Sequence, residues 1–277
     1  MIINHYLPPA SHHSKVWTSM RLGHQMLVDL RSATESVAYY TGDYESKSIE
    51  AASKLISPNA IVLDVGANVG FWTVPLARAL TAGGRLHAFE PVSANFLRLG
   101  ENVRRNNLDA IVQLHHQGLS DQKATVQISL REDFQNGAET GNAAIVIDSD
   151  DNKFTCTNIE VSPLDGETFH SLGIDHVDFI KLDIEGHEDK FLAGAAMVFR
   201  RFRPILFMEI NQAYYARRGV DPSQVFEQWM QGVNYEAALK TPSGWRLDSV
   251  KNRRRRFDNI FCFPSEAADA LVKRLNR

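Results

Sequence analysis

Cysteine is scarce in this chain. The 277 residues hold two, Cys156 and Cys262, far apart and outside any CxxC or Cys/His spacing. Neither a disulfide framework nor a thiolate metal site is therefore implied. No run of 18 apolar residues occurs, so no membrane span is expected. The opening stretch MIINHYLPPASHHSKVW lacks the cationic start and apolar core of a secretory signal, and a reducing, cytoplasmic setting is expected. Excess positive charge is missing too: the formal net charge is -3, which gives no global field for nucleic acid. Apolar residues at 44% and charged residues at 23% describe an ordinary globular chain, long enough to bury a substantial core.

Two phosphate-binding signatures are absent as well. A dinucleotide fingerprint would need glycines at positions 66, 68 and 71, where the chain has Gly66, Asn68 and Phe71. No GxxxxGK[ST] loop exists.

What is present, from about residue 60 onward, is a rhythm of short apolar strands and amphipathic helices, the pattern of a mostly parallel α/β sheet. Strands are expected at 61–65, 85–91, 111–118, 177–183, 204–210, 235–240 and 258–264, with helices near 70–81 and after residue 92. In the second helix Phe96, Leu97, Gly100 and Val103 form the expected inward face. Residues 120–162 interrupt the rhythm with a strand-like KATVQISL and a polar loop, read as an inserted hairpin. Upstream, HQMLVDL and SVAYYTGDYE suggest a small cap of strands and turns. The expected organisation is an N-terminal cap, 1–58, on one domain, 59–277.

The stretch AIVLDVGANVGFW places Asp64, Gly66, Asn68 and Gly70 between a buried strand and a helix, where small residues let a ligand approach the backbone. Glu90 closes the next strand. An acid about 20 residues after such a turn accepts ribose hydroxyls and disfavours a 2'-phosphate. Each feature alone is an unremarkable turn or surface acid; together, on consecutive strand ends, they point to a nucleoside pocket.

The segments VLDVGANVGFWT, HAFEP, GLSD and VDFIKLDIEGHE, in this order, resemble the FkbM family of S-adenosylmethionine-dependent methyltransferases. HQMLVDL…YYTGDYE, ILFMEIN and DNIFCFP extend the likeness across residues 23–264. The first two motifs alone mark only a class I methyltransferase; KLDIEGHE is more specific. One departure is VSPLDG, where a threonine is expected in place of Pro163. The resemblance implies a class I, Rossmann-like, mostly parallel seven-stranded sheet with helices on both faces. It also implies S-adenosylmethionine as cofactor. Asp64, Gly66, Asn68 and Gly70 would surround its methionine portion, Glu90 the ribose, and Gly118, Leu119 and Ser120 the adenine, with Tyr44 and Glu45 closing from the cap.

Ligands of doubly wound sheets bind beyond the carboxyl ends of the strands. The acidic strand ends are Asp64, Glu90, Asp183 and Glu209, which leaves Asp183 and Glu209 nearest a transferred methyl. Lys181 shares a face with Asp183 and stands with Asp183, His187 and Glu209 among the catalytic candidates, the bland alternative being that it merely pairs with a neighbouring carboxylate. Glu185, His187 and Glu188 follow on a loop entering a helix. His187 and Asp183 are the competing candidates for the base that takes a proton from an acceptor hydroxyl. The same carboxylates have the chemistry for Mg²⁺, yet no dedicated ligand spacing exists, and a metal is not favoured. The resemblance implies O-methylation of a sugar or small secondary metabolite. Rival readings are a nucleic-acid methyltransferase, gripping phosphates with KNRRRRF (from Lys251), and a non-catalytic scaffold that keeps the nucleoside pocket. Basic residues there lack interleaved aromatics, NPPY-type amide motifs are absent, and a small-molecule acceptor is expected.

Overall fold

The structure, a computed structural model, describes residues 14–81, 83–135, 137–138, 140–146, 151, 153–253 and 257–277. His5, His12 and His13, and Arg254 to Arg256 of the basic run, lie outside these residues. Strands are β1 (Lys15–Ser19), β2 (Gln25–Asp29), β3 (Ile61–Val65), β4 (Arg85–Phe89), β5 (Val112–His115), β6 (Gly118–Leu119) and β7 (Ala124–Leu130). They continue with β8 (Ala143–Ile145), β9 (Thr155–Ser162), β10 (Phe179–Leu182), β11 (Ile205–Asn211), β12 (Tyr235–Thr241), β13 (Gly244–Leu247) and β14 (Phe257–Pro264). Helices are α1 (Ala33–Thr41), α2 (Ser46–Leu55), α3 (Thr73–Ala79), α4 (Ser93–Arg105), α5 (Glu132–Gln135) and α6 (Glu167–Ser171). Then come α7 (Glu188–Gly194), α8 (Ala196–Phe202), α9 (Gln212–Arg217), α10 (Pro222–Val233) and α11 (Ala268–Leu275).

Strand β3, IVLDV, is buried along its whole length, as a central parallel strand covered on both faces must be. Its side chains alternate: Val62 joins a core with Ile49, Leu76, Leu99 and Phe261, while Leu63 and Val65 join one with Phe191, Phe199 and Phe226. Helices α2, α3, α4 and α11 cover the first face and α7, α8 and α10 the second. The sheet order is β13-β12-β14-β11-β10-β3-β4-β5. The five strands from β11 to β5 run parallel, and β14, β12 and β13 pair antiparallel. This is the expected Rossmann-like architecture with one correction, since the sheet has eight strands and not seven. The eighth, β13, is a four-residue hairpin return with one buried side chain, Trp245, too short to show a period of two.

Order reverses at β3, whose neighbours are β4 on one side and β10 on the other. That crevice is where this architecture places ligands. Two smaller sheets flank it: the β1–β2 hairpin, and a four-stranded sheet β6-β9-β7-β8 drawn from residues 118–162.

Two local expectations need correcting. SVAYYT lies in α1, not in strands or turns: Ser32 caps that helix by accepting from the Glu35 N–H, and Gly42 ends it in the left-handed conformation. On α4, Leu97 is 68% exposed, and the inward face is Asn95, Arg98, Leu99, Gly100, Asn102 and Val103, with Gly100 and Val103 as expected. Its polar members are there because α4 covers β2. Asn102 Oδ1 accepts from the Leu27 N–H at 2.7 Å, Asn106 Oδ1 from the Gln25 N–H at 3.0 Å, and Arg98 donates to the Leu27 carbonyl at 3.2 Å. A strand edge has thus been sealed by amides instead of by another strand.

Two glycine substitutions test the packing with opposite signs. A Cβ on Gly194, at the end of α7, would sit 1.9 Å from the Ser120 carbonyl oxygen. Gly194→Ala is expected to lower stability by about 1–3 kcal/mol, as overpacking does. Gly232, exposed in α10 with no neighbour within 4 Å of such a Cβ, is expected to gain about 0.5–1 kcal/mol as alanine. Urea unfolding of both variants measures this.

Candidate active site

Asp64 and Lys181 are Cα partners in the β3–β10 register, and Lys181 lies beside Phe207 of β11. Side chains two apart share a face, so Asp64, Lys181, Asp183 and Glu209 all emerge on the α3 side of the sheet. The Lys181 ammonium, 4% exposed, donates to the Gly66 carbonyl at 2.8 Å. It also lies 3.4 Å from Asp183 Oδ2 and 3.6 Å from Asp64 Oδ1. Burial opposes its charge, but Asp183, Asp64, Glu45 and Glu209 outweigh burial and raise its pKa. Asp64 is wholly buried and accepts from Thr73 Oγ1 at 2.6 Å.

The turn after β3 is built by this cluster. Gly66 has φ +79°, and a Cβ on it would lie 1.8 Å from the Asp183 carbonyl oxygen, so no other residue fits. The Gly66 and Ala67 N–H groups both donate to the Phe89 carbonyl at 3.0 Å. Asn68 is left-handed at φ +49°, held by its N–H donating to Glu90 Oε2 at 2.8 Å. Glu90 Oε1 accepts from the Val92 N–H at 2.9 Å. Burial pushes the Glu90 carboxyl up to about 7, against those backbone hydrogen bonds and Lys181.

A cavity of about 380 Å³ opens above these strand ends, within the size range of small-molecule sites. Of the residues expected at the site, Gly66, Asn68, Glu90, Gly118, Leu119, Ser120, Tyr44, Glu45, Lys181, Asp183, His187 and Glu209 line it. Asp64 and Gly70 do not. Asp64 lies beneath the turn, bound to Thr73 and Lys181, and Gly70 faces back onto Leu99. Both shape the turn from behind.

Tyr44 stacks on Phe71 at 4.3 Å, and Glu45 accepts from Trp72 Nε1 at 2.8 Å and Asn259 Nδ2 at 3.0 Å. The segment between α1 and α2 thereby reaches both the glycine turn and β14. His187 precedes α7; burial first, then Arg218, drives its pKa down to about 4, so its ring is neutral near pH 7. Burial and then Asp183 push the Glu209 carboxyl up to about 11, leaving it protonated there. Among the described residues no group of three or more His, Cys, Asp or Glu side chains is arranged to hold a metal ion.

Several lining residues were not on the expected set. Ser32, Glu35, Asp133 and Asn142 form a roof where the N-terminal segment meets the insert. Ser32 Oγ donates to Asp133 Oδ2 at 2.7 Å, Thr140 Oγ1 to Glu35 Oε1 at 2.7 Å, and Asn95 Nδ2 to the Gly141 carbonyl at 3.0 Å. Glu185 and Tyr214 line the wall beside Asp183. Glu185 carried a sequence signal, an acid before a glycine directly after a strand; the roof residues carried none.

Residues 64–237 match the family described as the methyltransferase FkbM domain. Among solved structures, the chain is similar to a methyltransferase FkbM from Methylobacillus flagellatus KT, at 20% identity and TM-score 0.49 over 75% of this chain. It spans 44% of that protein's length. It is also similar to TYW2 of M. jannaschii in complex with AdoMet, at 14% identity and TM-score 0.48, covering 91% of this chain and 86% of that one. No curated protein matches the chain.

The raised Glu90 pKa has a consequence for stability without ligand. A carboxyl whose folded pKa lies above its unfolded value stabilises most below about 4.5, and that contribution is lost as pH rises through about 7. The wild-type melting temperature, relative to that of Glu90→Gln, is expected to fall between these pH values. Differential scanning fluorimetry of both proteins across that window checks it.

Proposed function

The chain belongs to the FkbM methyltransferase family, and we propose that it moves a methyl group from S-adenosylmethionine to a hydroxyl oxygen of a sugar or small secondary metabolite. The observation that carries this reading is convergence. The glycine turn, Glu90, the Gly118–Ser120 segment and the Lys181–Asp183–Glu209 cluster all face one cavity.

The donor set suits that cofactor. In this reading Glu90 accepts the ribose hydroxyls, Gly118 to Ser120 flank the adenine, and Gly66, Asn68, Tyr44 and Glu45 surround the methionine portion, which their shared lining of one cavity supports. Bound there, the cofactor supplies an electrophilic methyl group on a cationic sulfur. Around it the chain presents the acidic side chains of Glu45, Asp183 and Glu185, a negative environment that complements a cation in a water-poor site. Asp183, held by Lys181, anchors the acceptor hydroxyl and keeps it oriented, which is where most acceleration of a two-substrate transfer arises.

The roof supports a small acceptor over a nucleic acid, because it closes the cavity with hydrogen bonds between Ser32 and Asp133 and between Thr140 and Glu35. Both cysteines are free thiols, in keeping with a cytoplasmic setting. No helix among the described residues is long and apolar enough to cross a membrane.

Calorimetric titration with S-adenosylmethionine, its demethylated product and NAD is expected to show saturable binding of the first two only. Glu90→Ala should weaken cofactor binding by about 1.5–3 kcal/mol, the range for lost hydrogen bonds to a charged group; unchanged affinity in the folded variant removes Glu90 from the site. In an assay of labelled methyl transfer to hydroxylated sugars, Asp183→Asn should lower kcat by roughly tenfold or more while cofactor affinity changes far less. Equal losses of both would make Asp183 a binding residue.

A further inference from the structure

Between Asp183 and α7 the chain makes a sharp turn through Glu185 and Gly186. Glu185 is left-handed at φ +55°, and Gly186 follows at φ +89°. Left-handed backbone is uncommon for a residue with a side chain, and where it persists the surroundings must enforce it. Here they do. Glu188 Oε1 accepts from the Ile184 N–H at 3.0 Å and the Gly186 N–H at 3.2 Å, and Tyr215 donates its hydroxyl to Glu188 Oε2 at 2.5 Å. Arg218 donates to the Gly186 carbonyl. A Cβ at 186 would lie 2.3 Å from Tyr214 Cβ, so the glycine is obligatory. The whole turn is clamped so that Glu185 faces the cavity.

From the geometry we infer that Glu185 is the general base of the methyl transfer and that Tyr214 is its positioning residue; this rests on the reading of the site as a methyltransferase centre. Tyr214 packs directly on Gly186, lines the cavity beside Glu185 and acts to lower the Glu185 pKa. Tyr214 is itself held from behind, with the Arg131 guanidinium over its ring at 5.4 Å. Arg131 is anchored on the buried Asp151 at 2.5 Å, which Arg217 also contacts at 2.9 Å. A chain of contacts thus runs from the inserted sheet through Tyr214 to the carboxylate.

The other carboxylates and the imidazole facing the cavity floor are worse suited. Asp183 is committed to Lys181 at 3.4 Å. Both oxygens of Glu45 accept hydrogen bonds, from Trp72 and Asn259. The His187 Nε2 is buried without a hydrogen-bond partner among the described residues, and burial lowers its pKa; burial and then Asp183 raise the Glu209 carboxyl further from the ordinary carboxylate range than Glu185. Charged groups around Glu185 are Asp183 and Lys181 of the β10 end, Glu188 of α7 and Glu209 of β11. Burial, then Asp183 and Glu188, raise Glu185 to about 8, a value matched to a base working near neutral pH. In the step itself the acceptor oxygen forms an O–C bond to the methyl carbon. The C–S bond pair stays on sulfur, which becomes a neutral thioether, and the hydroxyl proton passes to the Glu185 carboxylate. Charge and atoms balance with no further reactant.

Two arms test this. In the first, labelled methyl transfer from S-adenosylmethionine to a panel of hydroxylated sugars is followed with wild type, Glu185→Gln and Tyr214→Phe. Glu185→Gln is expected to lose kcat by roughly 10²-fold or more with cofactor affinity held within about threefold, and Tyr214→Phe to shift the acidic limb of the pH–rate profile upward. A Glu185→Gln protein that keeps its kcat, or loses cofactor affinity in parallel, overturns the assignment. In the second arm, the full chain carrying ¹³C-carboxyl glutamate is titrated by NMR with and without Glu185→Gln. A resonance titrating near pH 8 that the variant lacks supports the assignment; one titrating in the ordinary carboxylate range overturns it. Wild type that binds cofactor but methylates nothing on the panel counts against the acceptor reading alone, and the second arm still decides Glu185.

Discussion

The ammonium of Lys181 organises this site. It is buried at the centre of the sheet, where an unpaired charge would cost several kcal/mol, and it is tolerated because three partners from two strand ends meet it: the Gly66 carbonyl, Asp64 and Asp183. Each partner is constrained in turn. Gly66 must bend sharply because the Asp183 carbonyl occupies the space a side chain would need, and Asp64 must stay under the turn to hold Thr73 at the start of α3. The glycine turn and the DIEGHE loop, 117 residues apart between Gly66 and Asp183, are therefore one object folded around a single cation. Four neighbouring carboxylates, Glu45, Asp183, Glu185 and Glu209, then face a shared cavity with that one ammonium among them. Such a group cannot be fully ionised at neutral pH, and its members differ: Asp183 is paired with Lys181, while burial and Asp183 raise both Glu209 and Glu185.

Much of this could be read from the chain because its determinants are local. Strand β3 with its turn, the acid at the end of β4, and β10 with its loop each occupy a continuous stretch, and parallel register then brings them side by side. The seven principal strands were legible for the same reason. What failed has a common cause as well. Leu97 was assigned inward because apolar residues usually are, yet α4 turns Arg98 and Asn102 inward to bond the edge of β2, 71 and 75 residues away in sequence. Asp64 and Gly70 belong to the motif, yet they lie behind the turn and hold its other members in place instead of lining the cavity. The roof was invisible, since Ser32, Glu35, Asp133 and Asn142 are ordinary polar residues until two distant segments fold together.

Floor and roof of the cavity are made from different physics. Below, the strand ends are continuous with two cores whose fully buried side chains each contribute about 1.5–3 kcal/mol, so displacing the floor means disrupting the sheet. Above, contact rests on a few hydrogen bonds: Ser32 to Asp133, Thr140 to Glu35, Asn95 to Gly141, and Asn68 to Asn142 at 3.4 Å. Each is worth on the order of 1 kcal/mol net, somewhat more where a carboxylate accepts. The roof is accordingly the cheaper surface to part, and water can replace every bond that parting breaks. Glu35 sharpens the contrast: it ties the Asp29 N–H and Arg98 to Thr140 across the seam, while burial holds its carboxyl up to about 7. A floor built from the strand ends, under a roof held by a few hydrogen bonds, sets two demands on one enclosed site side by side. The chemistry needs orientation within a fraction of an ångström, and the ligands need a way in and out.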